Sequence, residues 1–135
     1  MQLDIVTPDR KVVIGKADDV VIPAKEGELD VLPGHAPFLG QLGTGVLRFI
    51  TEGKTIQLMV SGGFVQVDGD RVVLMCESAS LKDEIKADDE RKNLLDLERQ
   101  LASLGAKAHD DESYTKLKAE VDRSAARLTL MKTRV

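Results

Sequence analysis

Between Leu3 and Cys76 the apolar residues come in short runs: Leu3 and Ile5; Val12 and Ile14; Val20 and Ile22; Val46 and Phe49; Ile56, Leu58 and Val60; Phe64, Val65 and Val67; and Val72 to Cys76. Runs of this length, rich in β-branched and aromatic residues and mostly alternating with polar ones, predict strands. From Ile85 onward the period lengthens. Ala87, Leu94, Leu97, Leu101 and Leu104 fall on a heptad seam broken only by Glu90, and Tyr114, Leu117, Val121, Leu128, Met131 and Val135 fall on a second, broken by Ser124. Two helices follow from that period.

Punctuation divides the chain at the same place. All four prolines and ten of the eleven glycines lie between residues 8 and 69, and the remaining glycine is Gly105. Asp68-Gly69 and Glu52-Gly53 each sit between two apolar runs, the signal of a tight hairpin. Strands so close in sequence, with no helical spacer, must mostly pair antiparallel, because a parallel crossover needs a dozen or more residues. The expected fold is an N-terminal antiparallel β-sandwich or flattened barrel over residues 1–84, then an antiparallel two-helix hairpin over residues 85–135. Gly105 closes the first helix, and Asp110-Asp111-Glu112, after the connecting residues 106–109, caps the second.

A hairpin with two narrow seams has little margin. Burying a leucine contributes about 1.5 to 3 kcal/mol, while ordering each residue costs about 1 to 2 kcal/mol. The hairpin therefore needs a further surface, either the β-body or a partner protein. Two such resting places close in free energy make a switch.

Charge adds a direction. Residues 1–84 hold eight basic side chains against thirteen acidic ones, whereas residues 113–135 hold six (Lys116, Lys118, Arg123, Arg127, Lys132 and Arg134) against Glu120 and Asp122. That segment calls for an acidic partner. Nucleic acid is excluded, since the chain as a whole is acidic and no aromatic residues interleave with the basic ones. No apolar run approaches the length of a membrane span, and Met1 leads into a strand pattern without a basic and apolar leader, so the expectation is a soluble protein made in the cytoplasm.

Catalytic chemistry finds no support. Ser61 lacks a nucleophile elbow, His35 and His109 fall in separate predicted loops, and no His/Cys pair has zinc spacing, so neither catalytic nor metal residues are assigned. His109 beside Asp110, Asp111 and Glu112 reads as a solvated acidic helix start. The lone Cys76 lies in an apolar run and reads as core. Gly62-Gly63 has no following helix and no Lys-Ser/Thr, which leaves a bulge or close strand packing rather than phosphate binding. Leu32-Pro33-Gly34-His35-Ala36-Pro37 reads as a rigid turn.

Three segments carry a resemblance: Glu26 to Leu39, with Glu-Gly-Glu-Leu-Asp-Val-Leu-Pro-Gly-His-Ala-Pro-Phe-Leu; Gly43 to Arg48; and Val60 to Val67, with Val-Ser-Gly-Gly-Phe-Val-Gln-Val. In order and spacing the chain resembles the ε-subunit family of bacterial-type F1Fo ATP synthases. The resemblance implies a sandwich of about ten strands. It also implies a non-catalytic central-stalk subunit that couples γ to the ring of c subunits for proton-driven ATP synthesis. The helical tail would restrain ATP hydrolysis by extending toward the α and β subunits. Membrane association would come only through the complex, peripherally on the cytoplasmic side of the cell (inner) membrane, within the F1 sector.

The resemblance also distributes roles. The loop ending in His35, with Glu26, Glu28 and Asp30 before it, would face the c ring. Lys116, Arg123, Arg127 and Lys132 would meet the partner of the extended tail. Some bacterial relatives bind ATP through an Ile/Leu-Asp-x-x-Arg-Ala motif and two arginines of the second helix. Here Asp88, Arg91, Arg123 and Arg127 match, while Ala87 and Lys92 depart from the motif. ATP would then be a regulatory ligand, no cofactor being required. A free ATP-sensing adaptor is the alternative, and co-purification with a membrane-attached ATPase separates the two.

Overall fold

The computed structural model describes residues 1–105 and 112–133. The connecting residues 106–109 with His109, the acidic cap at Asp110 and Asp111, and Arg134 and Val135 lie outside the described residues.

Eight strands form one sheet: β1 (Gln2–Val6), β2 (Lys11–Lys16), β3 (Asp19–Ala24), β4 (Gly27–Val31), β5 (Phe38–Gln41), β6 (Thr44–Thr51), β7 (Lys54–Asp68) and β8 (Arg71–Leu81). Their order is β2-β1-β8-β7-β6-β3-β4, with β5 beside β7. The two long strands fold this sheet over. The stretch Lys54 to Ser61 of β7 pairs with β6, whereas Phe64 to Val67 pairs with β5. Likewise only Arg71 to Met75 of β8 pair with β1. One layer is thus β2-β1-β8-β7-β5 and the other β8-β7-β6-β3-β4, so eight strands fill the ten positions that the resemblance implies.

The fold at the middle of β7 is made by Gly62 and Gly63, at φ 68° and 98°. Of the two readings for this pair, a bulge or close packing, the bulge is absent, because Ser61 faces Ser78 and Gly63 faces Cys76 without a change of register. Close packing is the reason for glycine: a Cβ on Gly63 would stand 1.8 Å from the Met75 carbonyl oxygen. The predicted hairpins are present, Glu52-Gly53 with both φ values positive and Gly69 at φ 58°. One pairing departs from the antiparallel expectation: β1 and β8 run parallel. They are the two ends of the body, and the whole of it supplies the crossover.

Inward side chains of both layers form the main core, including Leu3, Ile5, Val20, Ile22, Leu47, Leu58, Val65, Leu74 and Cys76. Burial of such surface, at about 25 cal/mol per Å², is what holds the layers together. Met59, between inward Leu58 and Val60, points to the outer face. There it meets Ile85 and Leu130 in a second cluster, with Val46, Ala126 and Met131 beside it.

That cluster holds the tail. After a short 3-10 turn at Lys82–Glu84 come α1 (Ala87–Leu104) and α2 (Glu112–Lys132). Gly105, at φ 73°, ends α1 by donating its N–H to the Ala102 carbonyl. Arg127 lies level with Glu90 and Asn93 with Ser124, so the helices run antiparallel. The first-helix seam and the described part of the second are half-buried at each predicted position, apart from Ser124, which is fully buried. α1 fully buries nothing, while α2 buries Ser124 and Leu130. The hairpin rests folded back on the sandwich, and it does so through α2.

Candidate functional site

The body-facing stripe of α2 is Arg123, Ala126, Arg127 and Leu130, spaced i, i+3, i+4, i+7 as one helical face requires. Arg123 is 17% exposed and fully engaged: Nε donates to Ser61 Oγ at 2.9 Å, Nη2 to Glu77 at 2.9 Å and Nη1 to Glu120 at 2.9 Å. Ser61 is buried and also shares a 2.8 Å hydrogen bond with Thr44 Oγ1. One turn on, Arg127 Nε donates to Ser80 Oγ at 3.1 Å and Nη1 to Glu90 at 3.5 Å. Lys82 Nζ donates to the Thr133 carbonyl at 2.6 Å. An open cleft of about 800 Å³ runs beside this contact, lined among others by Thr44, Ser61, Glu77, Asp122, Arg123 and Ala126.

The two polar breaks in the apolar seams satisfy one another. Ser124 Oγ donates to Glu90 Oε2 at 2.5 Å, and the same carboxylate receives Arg127. A buried hydroxyl and a half-buried carboxylate would each be costly alone, and paired they fix the register of the hairpin.

Asp88, Arg91, Arg123 and Arg127 are not gathered into one site. Arg91 pairs with Asp88 on the outer side of α1 and is 62% exposed, while Arg123 and Arg127 turn inward to the sheet. The reason is helical geometry: Glu90 occupies the seam, and Arg91 lies about 100° further round. The set Lys116, Arg123, Arg127 and Lys132 is divided as well. Lys116, paired with Glu112, and Lys132 are exposed, whereas the two arginines are committed to the body and to Glu90. They do not form one outward basic surface in this state.

Glu26, Glu28 and Asp30 do share an exposed region around β4, an edge strand. Glu28 lies 3.9 Å from Arg48, and a hydrogen bond from Asp30, then burial, raises the Asp19 carboxyl above its ordinary range. His35 sits in the expected turn: its N–H donates to Leu32 O at 3.0 Å, with Pro33 and a positive-φ Gly34 at the two central positions. Its Nδ1 lies 2.6 Å from Ala36 O, so the imidazole is held locally.

At the joint between body and tail, Arg10 grips Glu84 with both terminal nitrogens, at 2.6 and 2.7 Å, and Glu84 also accepts the Leu81 N–H at 2.8 Å. These contacts hold the Glu84 carboxyl below its ordinary range. Burial pushes the Cys76 thiol up to about 12, as suits a core residue. Among the described residues no group of His, Cys, Asp and Glu could hold a metal, and no helix is long and apolar enough to cross a membrane.

Ser61, Glu77, Ser80, Glu90 and Glu84 had no role in the sequence reading. Glu90 appeared there only as the break in the first seam, and Ser61 only as a serine without a nucleophile elbow and as part of the Val60 to Val67 segment.

Residues 1–82 match the family model described as ATP synthase, Delta/Epsilon chain, beta-sandwich domain. The ATP synthase epsilon chain of Nitratidesulfovibrio vulgaris (strain DP4) is 38% identical over 128 residues, covering 95% of this chain and 92% of that one. That of Anaeromyxobacter dehalogenans (strain 2CP-1) is 36% identical over 130 residues, 96% of each. In fold, the chain is similar to one in the cryo-EM structure of the Euglena gracilis mitochondrial ATP synthase (OSCP, F1 and c-ring, rotational state 1), with a TM-score of 0.78 at 23% identity. The match covers 96% of this chain and 79% of that one.

Proposed function

The chain belongs to the ATP synthase epsilon-chain family, and from that premise we propose that it is a non-catalytic subunit of the central stalk. Its sandwich couples the γ subunit to the ring of c subunits. Its helical tail restrains ATP hydrolysis when it leaves the body and reaches the α and β subunits. The subunit sits on the cytoplasmic side of the cell membrane, held there by the complex alone.

The observation that carries this reading is the unequal attachment of the two modules. The sandwich closes on an extensive core of its own, while the tail rests on the outer face through three buried residues, Met59, Ile85 and Leu130, and a few polar contacts. A module held so lightly can exchange one surface for another. The exposed acidic region of Glu26, Glu28 and Asp30 with the His35 turn supplies a polar docking surface for the c ring. Lys116 and Lys132 already face outward, and release of the tail would add Arg123 and Arg127 to them.

The test is a chain ending at Glu84, assembled with the other subunits. It should fold, bind γ and the c ring, and give a complex that hydrolyses ATP faster than one with the full chain. A folded truncation that fails to assemble, or hydrolysis unchanged by the loss of the tail, would refute the division of labour.

A further inference from the structure

Of the ionic contacts that α2 makes among the described residues, one has its acidic partner on the body: Arg123 with Glu77. The partners of Arg127 and Lys118 are Glu90 and Asp122, which travel with the hairpin. Arg123 itself keeps Glu120 when the tail leaves, and gives up Ser61 and Glu77.

The path by which Glu77 reaches Arg123 is built into the backbone. The Glu77 side chain crosses directly over Gly62, where a Cβ would stand 2.6 Å from Glu77 Oε2 and 2.7 Å from its Cδ. Any other residue at position 62 would displace the carboxylate. The glycine kink therefore has two tasks: Gly63 admits the Met75 carbonyl, and Gly62 clears the way for Glu77.

We propose that Glu77, laid across Gly62, is the latch that holds the second helix on the sandwich through Arg123, and that opening this ion pair gates release of the tail. The proposal rests on the reading of the tail as a releasable module. It adds the residue on the body that decides how readily release occurs. Glu77 is a positioning residue: it acts through Arg123 and touches no substrate. Because the Glu77 side chain is 66% exposed, the pair is open to screening, and added salt weakens it.

The test uses the isolated full-length chain and backbone amide hydrogen exchange. Glu77→Ala should speed exchange throughout α2 by about two- to fivefold, the value of an exposed ion pair expressed as an equilibrium. Glu77→Gln should move it in the same direction by less. Amides of β1, β3 and β6 should keep their rates in both variants. Arg123→Ala should also speed exchange in α2, and adding Glu77→Ala to it should bring no further increase. An unchanged α2 in Glu77→Ala would overturn the latch, as would a full additional increment on top of Arg123→Ala or an equal loosening of the sandwich. None of these results depends on ATP hydrolysis by the complex, so a failed latch leaves the truncation experiment to judge the proposed function separately.

Discussion

Leu130 is where tail and body are most exposed to a single change. It is fully buried, and its cluster consists otherwise of Met59 and Ile85, with Val46, Ala126 and Met131 at the margin. Leu→Ala at a buried site costs about 2 to 5 kcal/mol, from lost transfer energy and the cavity left behind. At about 1.4 kcal/mol per tenfold, Leu130→Ala should shift the docked-to-released equilibrium by a factor of roughly thirty to several thousand. The main core does not include Leu130, so the sandwich should be spared. Hydrogen exchange in α2 should accelerate toward the rate of an undocked helix, while the urea midpoint of the sandwich, followed through β1, β3 and β6, stays put. Leu128→Ala is the control: Leu128 is half-buried in the seam with α1, so the change should loosen the hairpin with less effect on docking. The reasoning fails if body and tail lose stability together after Leu130→Ala, for they would then form one cooperative unit. It fails equally if α2 accelerates less than tenfold.

Gly63→Ala should prevent or severely weaken folding of the body, since its Cβ meets the Met75 carbonyl oxygen at 1.8 Å and φ is 98°; a urea midpoint close to that of the unsubstituted protein would contradict this. The Arg10–Glu84 grip should make the joint acid-sensitive. Glu84 has a folded value depressed below the ordinary 4.5, so its contribution is present above 4.5 and is lost as pH falls through the folded value. An NMR titration should find the Glu84 carboxyl below 4.5, and Arg10→Ala should return it upward; no movement on removing Arg10 would show that the pair has no bearing on the joint.

The sequence made the two modules, the heptad seams and the hairpin turns readable because each depends on local period and local φ. Asp68-Gly69 and Glu52-Gly53 needed no knowledge of distant chain. The parallel pairing of β1 with β8 was hidden for the opposite reason, since it joins residues about seventy positions apart. Leu130 was overlooked because it belongs to neither seam; the docking face of α2 is a second stripe, made half of arginine, and arginine stems covering an apolar surface carry no hydrophobic signal. Charge and the resemblance group Arg123 and Arg127 with Lys116 and Lys132, for the extended tail, and neither tells that in the folded-back state the two arginines turn inward. The sheet carboxylate Glu77 and hydroxyls Ser61 and Ser80, which turn the arginines inward, come from strands whose alternation says only which face they occupy.

Since β7 and β8 each run through both layers, the sandwich has no plane along which it can be sheared by breaking side-chain contacts alone. A load applied to the β3–β4 edge passes into β7 and β8 and along their covalent backbone to β1 and β5. Dispersion contacts between layers yield gradually, whereas a peptide chain under tension is stiff. In the role proposed above, between a turning ring and a shaft, this threading would make the body a rigid mechanical coupling and leave compliance to the lightly held tail.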